Sequence, residues 1–183
     1  MTDRTQYGTT AKVLHWLVVA LLTAQYLIGW FMPDIHRGMQ PGDAMTWHIS
    51  VGMVILALIL LRLVWRLTHR VAPDRSLAPW QRIASGTLHW LLYVLVLLTT
   101  ISGWLFASFR GWSISFFFMM PLPMLSSENL PALRAINHWH QKFEWTLLIL
   151  IGLHVVAALA HLVVYRDRVM HRMLPGASAT PQQ

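Results

Sequence analysis

The sequence contains no cysteine and little charge. Only 11% of its 183 residues are Asp, Glu, Lys or Arg, and the mean hydropathy is +0.50. A water-soluble domain carries about 25% charged residues, so the composition favours lipid as the solvent. The lack of cysteine excludes disulfides, cysteine-ligated zinc, iron–sulfur clusters and the C-x-x-C-H attachment of c-type haem. A bound metal would therefore depend on histidine, of which the chain has ten.

Four long apolar runs predict four membrane-spanning helices, because a bilayer core of about 30 Å needs about 20 helical residues. The predicted helices cover about 12–32, 45–67, 82–108 and 140–165. We expect an all-α, antiparallel up-and-down four-helix bundle that forms a single domain over residues 1–175. The stretch 112–125 is interrupted by Pro121 and Pro123 and is predicted to be an interfacial loop. Residues 176–183 are predicted to be a disordered tail.

The chain has a net charge of +7, and its basic residues are distributed unequally between the two sides of the predicted topology. Four spans put both termini and the second-to-third connection on one side, and ten of the 14 basic residues lie there: Arg4, Lys12, Arg62, Arg66, Arg70, Arg75, Arg82, Arg166, Arg168 and Arg172. The other side has Arg37, Arg110, Arg134 and Lys142. The positive-inside rule therefore predicts an inner-membrane protein with cytoplasmic termini, and the basic residues do not indicate nucleic-acid binding.

Histidines in the apolar runs are candidate functional residues, because ionisable groups are costly in hydrocarbon. His140 and His154 are 14 residues apart on the fourth helix. In an α-helix this spacing is about 21 Å in height and about 40° in azimuth, so both share a face near opposite ends of the helix. Since successive helices alternate in direction, His48 matches the height of His140, and His15 matches that of His154.

Two histidines on facing helices are the axial ligands that a b-type haem requires. The pairs His48 with His140 and His15 with His154 therefore predict two haems stacked across the membrane. Gly29, 14 residues after His15, and Gly52, one turn after His48, would allow close approach of a flat macrocycle. Arg62, 14 residues after His48, is predicted to neutralise a propionate of the inner haem.

The histidines lie in five short motifs: Leu14-His15-Trp16, Trp47-His48-Ile49-Ser50-Val51-Gly52, Trp139-His140, Gly152-Leu153-His154 and Ala157-Ala158-Leu159-Ala160-His161. These motifs resemble the bacterial cytochrome b561 family over about residues 7–175. The resemblance implies a four-helix membrane protein with two b haems ligated by His15, His48, His140 and His154. His138, two residues before His140, remains a rival outer ligand. His89 remains an alternative inner ligand, a packing residue or a propionate contact.

The resemblance also implies a function. Superoxide oxidases related to this family reduce ubiquinone on the cytoplasmic side, which makes His161 the candidate partner of a quinone carbonyl, with an interfacial capping role as the alternative. Arg75 and Arg82 are weaker candidates. We expect superoxide to be oxidised at the periplasmic face, where Arg37, Arg110, Arg134 and above all Lys142 would attract the anion. The expected partners are membrane lipid, ubiquinone and superoxide or a periplasmic redox protein.

Three other functions stay open at this point. The protein would be a membrane anchor or quinol-oxidising cytochrome b that exchanges electrons with a redox partner, or a haem-carrying protein without its own redox reaction. A histidine-lined metal transporter is the third, and the lack of carboxylates and cysteines within the apolar runs disfavours it.

Overall fold

The computed structural model describes residues 7–36, 38–69, 71, 77–167 and 169–174. Four long helices dominate it: α1 (Thr9–Phe31), α2 (Asp43–Thr68), α3 (Pro79–Phe109) and α4 (Ile136–Ala160). Each lies in a segment long and apolar enough to cross a membrane. The helices pack in chain order, most extensively α3 against α4. The protein is thus a membrane four-helix bundle, as the sequence predicts.

The two ends of the bundle differ in what they contain. We call the end where α1 begins and α4 finishes the terminal end. The opposite end, which carries the α1–α2 and α3–α4 connections, is the hairpin end. Between them lies an apolar core in which Val51, Ile55 and Ile59 of α2 pack with Val18 and Leu147 from α1 and α4. The core therefore separates two levels of the bundle.

All four helices begin two to four residues earlier than the apolar runs predict. α3 starts at Pro79, whose fixed φ suits a first helical position, and Gln81 accepts a hydrogen bond from the Ala78 amide at 2.9 Å. α4 starts at Ile136, four residues before the predicted position, because the polar stretch around His138 is also helical. Hydropathy marks the part of a helix in lipid and leaves out its polar ends.

The α3–α4 connection contains a small β-hairpin that the sequence did not predict. β1 (Ser115–Phe116) pairs antiparallel with β2 (Met120–Pro121). Phe117 and Phe118 in the turn have φ values of 45° and 62°. The Phe117 amide donates a hydrogen bond to the Ser50 hydroxyl of α2 at 2.8 Å, which fastens the hairpin to the bundle.

The chain folds back on itself after α4. A π-helix (His161–Tyr165) continues α4, and a 3-10 helix (Met170–Arg172) follows. We call residues 169–174 the C-terminal strap. Trp16 donates its indole N–H to the Met173 carbonyl at 2.9 Å, and Lys12 donates to the Leu174 carbonyl at 3.0 Å. The strap therefore joins the chain to the start of α1. The predicted tail at 176–183 lies outside the described residues.

Candidate cofactor-binding site

The hairpin end contains the first histidine pair. His48 of α2 and His140 of α4 have ring centroids 6.4 Å apart and ring planes at 82°. Both side chains are largely buried, whereas His138 is exposed. The structure thus brings His140, and not its neighbour His138, against His48.

The terminal end contains the second pair and one further histidine. His15 of α1 and His154 of α4 have ring centroids 6.4 Å apart and planes at 79°. His89 of α3 lies on another side of His154, with centroids 5.2 Å apart. The two pairs share one spacing and one nearly perpendicular ring arrangement, although they come from different helices.

The spacing can be tested against a metal held between two imidazoles. A metal–imidazole nitrogen bond of about 2.0 Å plus about 1.1 Å from that nitrogen to the ring centre gives about 6.2 Å between centroids across the metal. Both 6.4 Å pairs match this length. The 5.2 Å between His89 and His154 is too short for the same arrangement. The distances that fit a metal between two rings are therefore those from His15 to His154 and from His48 to His140.

The ring nitrogens also suit metal ligands. His140 donates from Nδ1 to the Thr99 carbonyl at 2.9 Å, with the Ser102 hydroxyl at 3.2 Å, which leaves Nε2 for a metal. His89 donates from Nδ1 to the Ser85 carbonyl at 2.6 Å. In the described part of the chain, the buried Nδ1 atoms of His15 and His48 have no hydrogen-bond partner. Within the described residues, the protein thus leaves these two rings without an orienting hydrogen bond at Nδ1, unlike the rings of His140 and His89.

Glycines flank the hairpin-end pair on two sides. A Cβ added to Gly29 of α1 would lie 3.5 Å from Cε1 of His48, and one added to Gly103 of α3 would lie only 2.9 Å from Cε1 of His140. Gly52 instead faces Gln25, whose amide donates to the His48 carbonyl at 2.9 Å. Gly103 was missed in the sequence analysis, but a signal was available: it follows His89 by the same 14 residues that separate Gly29 from His15.

Positive charge lies beside the terminal-end pair. Arg62 of α2 is largely buried and close enough to His15, His89 and His154 to interact with them electrostatically. Arg62 and Arg66 lie over the Tyr93 ring at 5.4 Å and 5.5 Å from its centroid. Among the residues described, no carboxylate forms an ion pair with either guanidinium. Two unneutralised cations at this depth would attract a dianionic group such as the propionates of a haem.

The cations predicted to attract an anion are not equivalent. Lys142 is exposed, with its ammonium 4.9 Å from the Trp139 ring centroid, and Arg134 is also exposed. Arg110 instead donates to the His36 carbonyl at 2.8 Å and lies over Trp112, so it holds the loops together. Arg37 lies outside the described residues.

The proposed quinone residues lie at the terminal end. His161 is the first residue of the π-helix, and its Nδ1 is 2.5 Å from the Asp167 carboxylate. Its side chain is 16% exposed. Arg82 is exposed in the first turns of α3, and Arg75 lies outside the described residues. Asp167 was not singled out from the sequence, because nothing in the spacing indicates that the chain turns back there.

Comparison with known proteins finds matches over most of the chain. The family model for prokaryotic cytochrome b561 matches residues 6–176. "Cytochrome b561 homolog 2" of Escherichia coli (strain K12) is 25% identical over 95% of this chain and 94% of its own length. "Probable superoxide oxidase CybB" of Yersinia pestis is 29% identical over 93% and 96%. "Cytochrome b562" of Cereibacter sphaeroides is 27% identical over 95% and 98%.

Proposed function

This chain belongs to the prokaryotic cytochrome b561 family, and we propose that it holds two haems. Membership of the family implies membrane electron transfer and b-type haem. One would lie between His48 and His140 and the other between His15 and His154. The observation that carries the proposal is the recurrence of one histidine spacing, 6.4 Å, at both ends of the bundle.

Haem supplies one-electron redox chemistry when it is bound. The protein's own residues determine how that chemistry is used. Two histidines of the protein would hold each haem, which would then supply electron transfer and not the binding of oxygen or substrate. Thr99 orients the His140 ring, Gly29 and Gly103 leave room beside the rings, and Arg62 and Arg66 would neutralise propionates. These features favour electron transfer over ligand activation.

We assign the reaction as superoxide oxidation coupled to ubiquinone reduction. Two superoxide ions lose one electron each and become oxygen, and one ubiquinone takes the two electrons and two protons to become the quinol. The name of the Yersinia pestis relative supports the donor. Exposed Lys142, two residues from His140, would attract the anion at the hairpin end, and His161 would contact the quinone at the terminal end.

The orientation belongs to the same proposal. We place the terminal end in the cytoplasm of a bacterium and the hairpin end in the periplasm, because ten of the 14 basic residues belong to the terminal side. Superoxide would then be oxidised outside, and quinol protons would be taken from inside.

The first experiment is a reduced-minus-oxidised spectrum of the purified protein with haem quantitation. We expect two b haems per chain. His15→Ala or His154→Ala should remove one haem, and His48→Ala or His140→Ala the other. Colourless protein, or one haem in fully loaded material, would overturn the proposal, and an unchanged haem content in any variant would remove that histidine from the ligand set.

The second experiment is stopped-flow reduction by superoxide with and without ubiquinone. We expect rapid reduction by superoxide, followed by reoxidation only when quinone is present. His161→Ala should keep both haems and slow the reoxidation. Reduction by ubiquinol but not by superoxide would instead identify a quinol-oxidising cytochrome that passes electrons to a partner protein.

A further inference from the structure

His161 and Asp167 form a histidine–carboxylate pair at the end of α4. The Nδ1 of His161 and an oxygen of Asp167 are 2.5 Å apart, and the two side chains are 16% and 21% exposed. A hydrogen bond to a carboxylate fixes the tautomer in which Nδ1 carries the proton and Nε2 is free. It also stabilises the ring when Nε2 takes up a proton. This arrangement suits a group that passes protons.

The backbone is shaped to bring the two residues together. The last turn of α4 widens into a π-helix, which is uncommon and often occurs at functional sites. Arg166 then has φ 51°, a left-handed conformation that is unfavourable for a residue with a side chain. As a result the Asp167 amide donates back to the His161 carbonyl at 3.2 Å. Without this reversal, two residues six positions apart would not meet.

The carboxylate is held from its other side as well. Its second oxygen accepts a hydrogen bond from the Val169 amide at 3.0 Å, at the start of the C-terminal strap. The strap in turn is bound to α1 through Trp16 and Lys12. The position of Asp167 is thus fixed by the protein and does not depend on a bound ligand.

We propose that Asp167 is a positioning residue that makes His161 a proton donor to the reduced quinone. This inference rests on the proposed function. Each ubiquinone takes two electrons from the reduced protein and two protons from cytoplasmic water. One of these protons would pass from Nε2 of His161 to a quinone oxygen, after which the ring is reprotonated from the water side. Asp167 keeps the ring oriented throughout.

The test uses the purified, fully loaded protein, reduced chemically and mixed with a short-chain ubiquinone in a stopped-flow instrument. In Asp167→Asn, the single amide oxygen can accept from Val169 while the amide NH2 faces His161, so the turn is kept and the acceptor is lost. We expect reoxidation about 100-fold slower, a typical effect of losing general acid catalysis. The solvent deuterium isotope effect should increase, while the quinone concentration that gives half the maximal rate changes little.

A double-mutant cycle separates this role from a structural one. Asp167→Asn should slow reoxidation when His161 is present and have no further effect in a His161→Ala background. Asp34→Asn, a matched change at an exposed residue of the α1–α2 loop, should leave the rate unchanged. A readout without turnover is the ¹⁵N spectrum of histidine-labelled protein. The signal that disappears in His161→Ala should show Nδ1–H in the wild type and mixed tautomers in Asp167→Asn.

The outcomes distinguish the two proposals. If the wild-type protein is not reoxidised by ubiquinone, the quinone site fails and this inference fails with it. If the wild type is reoxidised but Asp167→Asn matches its rate, the proposed function stands and the positioning role is wrong. Equal slowing by Asp167→Asn in both backgrounds would also overturn the role, because it would show that Asp167 acts independently of His161.

Discussion

At the scale of single residues, small side chains matter as much as the histidines. Gly103 is the tightest case, because an added Cβ would lie 2.9 Å from the His140 ring, closer than real Cβ atoms come to other heavy atoms. The ring itself is fixed by its hydrogen bond to Thr99 and cannot move away freely. A methyl group at position 103 would therefore push against the ring of His140, a proposed haem ligand.

We expect Gly103→Ala to weaken haem binding at the hairpin-end pair about 10-fold to 100-fold, the usual range for changes beside a metal ligand. Gly29→Ala should have a smaller effect, since its Cβ would meet His48 at an ordinary 3.5 Å. Gly152→Ala on α4 is the matched control, because nothing lies within 4 Å of its added Cβ. The difference in affinity is measured by quantifying the haem that stays bound when the protein is diluted or when a competitor for haem is added. Equal retention in Gly103→Ala and Gly152→Ala would contradict the role of Gly103.

Arg62 provides a second prediction at this scale. A buried cation near the terminal-end pair favours the reduced state of a bound haem, because reduction adds one negative charge. Arg62→Gln should therefore lower one of two midpoint potentials by about 60 mV, which corresponds to a tenfold change in a one-electron equilibrium. A redox titration would show this shift, with exposed Arg134→Gln as the control. An unchanged potential would place Arg62 away from the haem.

At the scale of helices, one spacing is repeated throughout the bundle. Fourteen residues separate two site residues on every long helix: His15 and Gly29, His48 and Arg62, His89 and Gly103, His140 and His154. Because 14 residues are close to four full turns, the two site residues of each helix lie on the same face, one at each level of the bundle. The apolar runs predicted the spans, and the 14-residue spacing on α4 together with the alternating helix directions predicted both histidine pairs.

Other parts of the site depend on contacts that no periodicity encodes. His89 and His15 lie at the same level, and only the centroid distances to His154 show which one has room for a metal between the rings. Asp167 reaches His161 through a π-helix and a left-handed Arg166, both of which are set by tertiary packing. The small hairpin is similar, since its turn residues are phenylalanines and not the glycine or asparagine that predict such turns.

The hairpin turn leads to a stability prediction at the scale of this element. Phe118 has φ 62° and is 53% exposed, and the Trp47 ring lies at a centroid distance of 6.2 Å, so we expect the packing of its side chain to offset only part of the cost of its backbone conformation. We expect Phe118→Gly to raise the free energy of unfolding by about 1 kcal/mol. Met119→Gly, at a more exposed neighbour without positive φ, should lower it by a similar amount. Thermal unfolding in detergent compares the two, and a loss of stability in Phe118→Gly would refute the argument.

At the scale of the whole molecule, the distribution of charge gives two tests. The absence of cysteine means that single cysteines can be introduced without background. We expect Ser127→Cys at the hairpin end to react with a membrane-impermeant thiol reagent in intact spheroplasts, and Thr9→Cys at the terminal end to react only after lysis. The opposite labelling pattern would reverse the proposed orientation.

Attraction of superoxide is the second test at this scale. The second-order rate constant for reduction of the protein by superoxide should fall as ionic strength rises, because salt screens exposed cations. Lys142→Gln should lower the rate at low salt by about threefold and have less effect at high salt. Arg110→Gln should affect stability instead, since Arg110 already binds the His36 carbonyl. A rate that does not respond to salt would remove electrostatic guidance from the mechanism.

One feature of α4 has a consequence for biogenesis. This helix contributes one histidine to each pair, and it is the last long helix to leave the ribosome. Neither pair can close before the C-terminal helix enters the membrane. On the proposed assignment, haem would be acquired only after α4 has been inserted, and products that stop before α4 would stay colourless however well their first three helices insert.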